Sequence, residues 1–288
     1  MAEPATMPTR RTRGRRAARA ENAPDAERPA RRPPRGRRPL HGPTRGRDVA
    51  YGAVGVLGEV LITLGVLVLA FLVWQLWWTD VEGNQAQAQI VRDLDERRDP
   101  VPTPTAQDGP LVAEPRRDEP PVMAEPAHAT TFATLQVPRW DGEPERPISE
   151  GTDRATVLDV LGIGHYEGTA MPGAVGNFAI AAHRTTYAKP FNRIAELQVG
   201  DPLVVRTDDT WYVYRVTSSE IVRPQDVQVI APVPDDPTGT PTERYITLTT
   251  CHPMFSARER YIVHGTLDYW APVSSGTPAE LLDTGGSA

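Results

Sequence analysis

Thr247-Leu248-Thr249-Thr250-Cys251-His252-Pro253-Met254-Phe255-Ser256-Ala257-Arg258-Glu259-Arg260-Tyr261-Ile262-Val263 holds the only cysteine in a chain of 288 residues. Residues 245–250, before the thiol, are β-branched and read as a strand. A polar loop opened by Pro253 comes next, and residues 260–263 read as a second strand. Two such runs joined by so short a connection pair antiparallel. This pairing sets a thiol at the end of one strand beside a guanidinium at the start of the next. A cysteine is a nucleophile only as thiolate, which neighbouring positive charge favours. Since a lone cysteine is as often buried and inert as reactive, its surroundings decide.

Outward from this stretch, from residue 131 on, short apolar runs alternate with turn signals. Residues 132–137 form a first candidate strand. Residues 177–183 form another, with Phe178, Ile180 and Ala182 on one face and Ala179, Ala181 and His183 on the other. Residues 203–207 and 211–217 flank Asp208-Asp209-Thr210 as a hairpin, and 245–250 and 260–267 complete the set. Only 155–161 and 190–197 suit short helices. Many strands between turns mean an all-β domain, either a closed barrel or a sandwich, and the alternation alone does not choose.

The amino-terminal half differs in composition. Residues 1–49 hold fourteen arginines, five acidic groups and eight prolines, with almost no large apolar side chain. Such a segment buries too little apolar surface to offset its ordering entropy, and disorder is expected. Its charge of about +9 against an overall −6 leaves the remainder strongly acidic. No aromatic residues interleave with the arginines, which argues against a nucleic-acid partner. Residues 60–78 then run nineteen positions without a charge. As a helix they span about 28 Å, against about 30 Å for a hydrocarbon core. Trp74, Trp77 and Trp78 gather at one end, as interfacial anchors do.

The expected organisation is therefore a basic cytoplasmic tail over 1–49 and a single transmembrane helix over 50–78, with everything beyond it outside the cell. A cleaved secretory signal is disfavoured, because the run exceeds the ~7–15 residues of a signal core and Ala86-Gln87-Ala88 lies well past it. Residues 80–98 suit a short helix, and eight prolines from Pro100 to Pro126 describe a semi-rigid spacer. Residues 79–130 thus read as a linker holding the next domain off the membrane. Cysteines outside the cell usually pair, so an unpaired one there points to a free, reactive thiol.

Thr-Leu-Thr-Thr-Cys251, with Arg260 after it, resembles the catalytic signature of the sortases, the bacterial cysteine transpeptidases. Gly164-His165-Tyr166-Glu167-Gly168-Thr169-Ala170-Met171-Pro172-Gly173 and Ala179-Ile180-Ala181-Ala182-His183-Arg184-Thr185-Thr186-Tyr187 are similar to the segment carrying the sortase histidine. His-Arg-Thr-Thr-Tyr and the Phe-Ser-Ala-Arg-Glu-Arg after the cysteine most resemble the class E sortases of actinobacteria. Ala182 departs from the pattern, standing where glycine usually precedes the histidine. The resemblance spans about residues 131–272 and implies an eight-stranded β-barrel there, with a flexible tail over 273–288.

The same resemblance implies site roles. Cys251 is the nucleophile, His183 the acid and base, and Arg260 the group that holds substrate and oxyanion. Arg258 is placed second to Arg260, on the same face if the strand continues. Thr250 is a candidate oxyanion donor, Tyr187 shapes the substrate pocket, and His165 is a supporting group or simple packing. His252 and His264 read as bystanders. No metal or cofactor is expected. The implied substrates are secreted proteins with a carboxy-terminal Leu-Ala-x-Thr-Gly or Leu-Pro-x-Thr-Gly signal, and the acceptor is an amine of a peptidoglycan precursor. The competing readings are a sortase of class D or pilin type, a transpeptidase acting on peptidoglycan itself, and a non-catalytic wall-binding module. Leu281-Leu282-Asp283-Thr284-Gly285 has the outline of a sorting signal without the apolar segment or basic end that should come after it, and chance explains it.

Overall fold

The computed structural model describes residues 45–98, 100–102 and 111–282. Residues 1–44 of the expected basic tail, 103–110 of the expected linker and 283–288 of the carboxy-terminal tail lie outside the described residues. The described chain separates into two units at Val60 and Leu61, and the barrel and all that packs on it belong to the second.

The first element, α1, is one helix over Arg45–Asp95. It replaces the expected pair of a membrane helix over 50–78 and a separate short helix in 80–98. The reason is local: no proline interrupts the junction, and the good helix formers Gln, Ala and Arg recur over residues 85–92. Pro100 lies just beyond the end, where its ring and missing N–H prevent continuation. Among the described residues, α1 is the one helix long and apolar enough to cross a membrane. The described large apolar side chains there, Leu61 and Phe71 included, are exposed. Trp78 stacks on Trp74 at the far end, with ring centroids 5.4 Å apart.

Beyond the tryptophans α1 becomes one-sided. Gln87 and Leu94 are buried and Asn84 and Val91 partly so, one stripe at helical spacing. Just past the helix, the fully buried Arg98 guanidinium donates to Thr134 Oγ1 at 3.3 Å and the Arg206 carbonyl at 3.0 Å. Glu145 and Asp95 lie 3.6 Å away and offset the burial that pushes this guanidinium down.

Among the described residues eight strands close a barrel: β1 (Thr131–Gln136), β2 (Arg146–Glu150), β3 (Ile163–His165), β4 (Gly176–Ala181), β5 (Pro202–Arg206), β6 (Thr210–Val222), β7 (Arg244–His252) and β8 (Glu259–Pro272). Their order around the barrel is β1-β2-β3-β4-β7-β8-β6-β5. The β2–β3 and β4–β7 pairs are parallel and the rest antiparallel. Phe178, Ile180, Tyr214, Ile246, Leu248 and Val263 fill the interior and are fully buried. Each such side chain contributes roughly 1.5–3 kcal/mol by leaving water. The expected strands all occur, and β6 and β8 run longer than read. β2, with Pro147 inside it, and the three-residue β3 are additions. The expected helix at 155–161 is a single π turn over Arg154–Leu158, and that at 190–197 a 3-10 turn over Ile194–Glu196.

In two segments the described chain differs from the expected semi-rigid spacer and flexible tail. The proline-rich stretch from 111 on is strapped onto the barrel. Arg116 and Trp270 exchange backbone hydrogen bonds of 2.8 and 3.0 Å, and the Arg116 guanidinium sits 4.2 Å over the Trp270 ring. Tyr212 Oη donates to the Pro121 carbonyl at 2.7 Å. Proline suits a strap because its extended form is preset and little entropy is lost on docking. The tail over 273–282 is also fastened. Val273 is fully buried, the Trp211 indole donates to the Gly276 carbonyl at 3.1 Å, and Glu280 takes hydrogen bonds from Arg215 and Tyr269. The last element, α2 (Ala279–Leu282), packs Leu281 on the same patch. Residues 283–285 of the signal-like outline fall outside the described residues.

Gly151 shows how tightly the strap docks. Its φ is +98°, and a Cβ there would come 2.5 Å from His128 Cε1. His128 in turn meets Glu167 Oε1 at 2.8 Å and Asp153 Oδ2 at 2.9 Å. The Glu167 hydrogen bond, with both negative charges, holds the imidazole above its usual pKa of 6.5. A raised folded value means that the contribution to docking is fully present below about pH 6.5 and is lost as pH rises through that folded value. An NMR titration should find His128 above 6.5, and Glu167→Gln should lower it. Equal values in the two proteins would remove Glu167 as the cause.

Candidate functional site

The site grows from strand register. β4 and β7 run parallel with Ala181 opposite Thr249, so His183 and Cys251, each two residues on, emerge at the same end. β7 and β8 run antiparallel with Cys251 opposite Arg260. All three side chains line one open cleft of about 610 Å³, together with Thr249, Tyr166 and Leu158. The expected juxtaposition of thiol and guanidinium is present. Cys251 is half-buried and unpaired.

His183 stands just past the end of β4. Ala182 continues the pairing by donating to the Thr249 carbonyl at 3.2 Å and is not among the positive-φ residues, so a methyl fits where the resemblance favours glycine. His183 Nε2 faces Asp159 Oδ1 at 2.6 Å. Asp159 closes the π turn over Arg154–Leu158, which starts on Asp153, its carboxylate accepting from the Thr156 N–H at 2.9 Å. Since a carboxylate only accepts, Nε2 carries the hydrogen, and Nδ1 is left without a hydrogen bond among the described residues.

Tyr187 touches the site without lining the cleft: its ring packs on His183 with centroids 5.1 Å apart. Tyr187, Ala188 and Lys189 all have positive φ, of 52°, 62° and 40°. Backbone held there by non-glycine residues is costly, roughly 1–3 kcal/mol each, and persists only when its surroundings over-determine it. Those surroundings include α1. Gln87 donates to the Tyr187 carbonyl at 3.3 Å, Lys189 Nζ meets Asp80 at 2.7 Å, and Ala188 is fully buried. Asn192 also donates to the Arg184 carbonyl at 2.8 Å.

Arg260 and Arg184 line the cleft with Cys251. Arg260 donates to the carbonyls of Ala257 at 3.0 Å and Glu259 at 2.9 Å, which point it along the loop after Cys251. Arg184, buried beside the cleft, reaches the Cys251 carbonyl at 3.3 Å and His252 Nδ1 at 2.9 Å. His252 is therefore not a bystander but the group that orients Arg184. Sequence reasoning missed both Arg184 and Asp159. Arg184 had a visible signal, adjacency to His183, whereas Asp159 had none, lying 24 residues from its partner.

Of the remaining expected residues, Arg258 and His165 are not brought to the cleft. Arg258 precedes β8, so strand alternation does not reach it, and it is exposed away from the lining. Thr250 lines the cleft, but its hydroxyl donates to the Ala182 carbonyl at 2.7 Å, which spends the hydrogen an oxyanion would need. His165 is fully buried against Glu150 Oε2 at 2.8 Å. Its Nε2 donates to Thr169 Oγ1, whose own hydrogen goes to the Tyr166 carbonyl. His165 thus clamps β2 to β3.

The sortase domain family matches residues 135–268, most of the barrel and the whole of this cleft. The chain is similar to sortase SrtE1 of Streptomyces coelicolor, 38% identical over 232 residues, covering 78% of this chain and 60% of that protein. It is similar to sortase SrtE2 of the same organism, at 34% identity over 76% of this chain and 83% of that one. Among solved structures, the SrtA sortase from Actinomyces oris superposes with a TM-score of 0.57 at 47% identity, covering 61% of this chain and all of that one. The chain thus spans less than two thirds of SrtE1 but most of SrtE2, and it belongs to the sortase family, with its similarity on the class E side.

Proposed function

We propose that this protein is a membrane-anchored cysteine transpeptidase. It cuts a carboxy-terminal Leu-Ala-x-Thr-Gly or Leu-Pro-x-Thr-Gly signal between Thr and Gly and joins the new end to an amine of a peptidoglycan precursor. The supporting observation is the convergence of Cys251, His183 and Arg260 on one open cleft. The Cys251 thiolate attacks the threonine carbonyl carbon, and the Arg260 guanidinium balances the charge on the oxygen. Collapse breaks the Thr–Gly amide as His183, protonated, gives its Nδ1 proton to the departing glycine amine. A thioester to Cys251 remains. The acceptor amine attacks it, His183 takes the amine's proton, and the new amide leaves with the thiolate restored. Asp159 keeps the ring aimed through Nε2. Phe255, 83% exposed at the cleft rim, offers apolar surface to an extended peptide. α1 supplies the anchor, with the arginine-rich side in the cytoplasm and the barrel outside.

Full-length protein in detergent, incubated with each signal peptide, should gain the mass of the amino-terminal fragment in intact mass spectrometry. Cys251→Ala should show neither adduct nor cleavage while keeping its circular dichroism. Cleavage by folded Cys251→Ala ends the proposal, and an inert wild type that still binds cell walls points to a binding module. Arg260→Ala should lower kcat/KM by roughly 10²–10³, as loss of an oxyanion donor does, and Arg258→Ala much less. The reverse ranking would exchange their roles. For Asp159→Asn the expectation is a kcat reduced up to about 10²-fold at nearly constant KM, the lower end of what a positioned acid–base group contributes. Unchanged kcat would make the Asp159 contact purely structural.

A further inference from the structure

Away from the cleft, Glu220 on β6, Asp235 in the connection after it and His264 on β8 bring one donor atom each within 4.8 Å of one another. His264 Nε2 lies 3.3 Å from Glu220 Oε1 and 3.7 Å from Asp235 Oδ2. The imidazole is buried, with its side chain 6% exposed, whereas the carboxylates are open to solvent.

A chain of hydrogen bonds decides which nitrogen of His264 is available. Asn177 Nδ2 donates to the carbonyls of Val229 at 3.2 Å and Ala231 at 3.0 Å, so its Oδ1 faces the other way and can only accept. That oxygen takes the hydroxyl hydrogen of Thr247 at 2.8 Å. Thr247 Oγ1, its hydrogen spent, accepts from His264 Nδ1 at 2.9 Å. The Nδ1 position therefore always carries a hydrogen, and Nε2 is the ring atom left to face the two carboxylates. Two anionic oxygens beside a buried imidazole nitrogen call for a positive centre there, which a proton on Nε2 or a metal ion would supply. A ring whose other nitrogen is anchored to a fixed acceptor is also how proteins orient metal-binding histidines.

We infer that His264, Glu220 and Asp235 bind a divalent zinc ion. Donors about 2.0–2.1 Å from a tetrahedral zinc lie roughly 3.3 Å from one another, close to the spacing here, and the solvent-open side leaves room for water as fourth ligand. One imidazole and two carboxylates do not suit calcium, which takes six to eight oxygens. The ion ties β6, β8 and the 223–243 connection together. Asn177 clasps the same connection from β4 through Val229 and Ala231. Thr247 and His264 are register partners on β7 and β8, as are Cys251 and Arg260 four residues away on the same ribbon. The zinc site is thus a brace on the two strands that present the thiol.

The test uses full-length protein in detergent carrying Cys251→Ala, so that the thiol takes up no metal, stripped with chelator and titrated with zinc chloride. About one equivalent should bind per chain, and the melting midpoint should rise by about 4 °C or more. Glu220→Gln and Asp235→Asn, both at solvent-open positions, should each weaken binding at least about tenfold and remove most of the rise. Zinc uptake unchanged in both variants overturns the inference. So does a midpoint that zinc does not move, or one that calcium moves and zinc does not.

Discussion

The parallel pairing of β4 with β7 is the constraint on which the rest depends. Hydrogen bonding from Gly176 opposite Arg244 to Ala181 opposite Thr249 fixes how far His183 and Cys251 project from the same barrel end. Side chains alternate across a strand, so a slip of one residue would turn Cys251 into the core and bring Thr250 outward. The slip is resisted from both sides, because Leu248 and Ile246 face the core with Phe178 and Ile180, and β8 locks β7 through eight further register pairs. Thr250 adds a side-chain link across the parallel pair to the backbone just before His183. What looks like a catalytic threonine is a spacer setting the distance between the two functional strands.

A second layer supports the histidine side. His183 leads into a backbone run that no local preference favours, and it is held by the barrel below and by α1 beside it. Arg98 and Leu94 fasten that helix, and the Arg116–Trp270 contacts hold the strap on β8. Sequence-remote pieces thus hold the strained turn that follows the cleft-lining residues His183 to Thr186.

The legibility of each feature in the sequence tracks the range of the interaction behind it. Cys251 and Arg260 were readable because a short connection sets their register. His183 was readable through its sequence block, though its place beside the thiol depends on the β4–β7 pairing, which alternation cannot reveal. β2 and β3 escaped because Pro147 and Gly164 break the strand pattern, yet their ladder to each other needs no long run. Asp159 was invisible, since its role comes from where a single π turn ends. The proline-rich linker and the Ser/Gly/Thr-rich tail misled for one reason. Composition reports how a segment behaves alone, and the described parts of both pack on partners in the barrel, Trp270 and Trp211 among them. His165, read as a supporting group or simple packing, is held in the barrel by a glutamate fifteen positions away.

α1 is continuous from its lipid-suited stretch to its barrel-packed stripe, with no joint between. Lys189 meets the helix at Asp80, two residues beyond Trp78 and so about 3 Å further along the axis. With α1 in a bilayer, the histidine side of the cleft rides at headgroup level on a stiff post, where a hinged spacer would have let it roam. Such an enzyme samples a thin sheet of solution above the lipid and little else. Polypeptides still held in the same membrane by their own ends enter that sheet at high local concentration, whereas freely diffusing ones rarely do. Under the proposed function, rigidity at the junction acts as a filter on which polypeptides are processed, set by altitude before any side chain in the cleft is consulted.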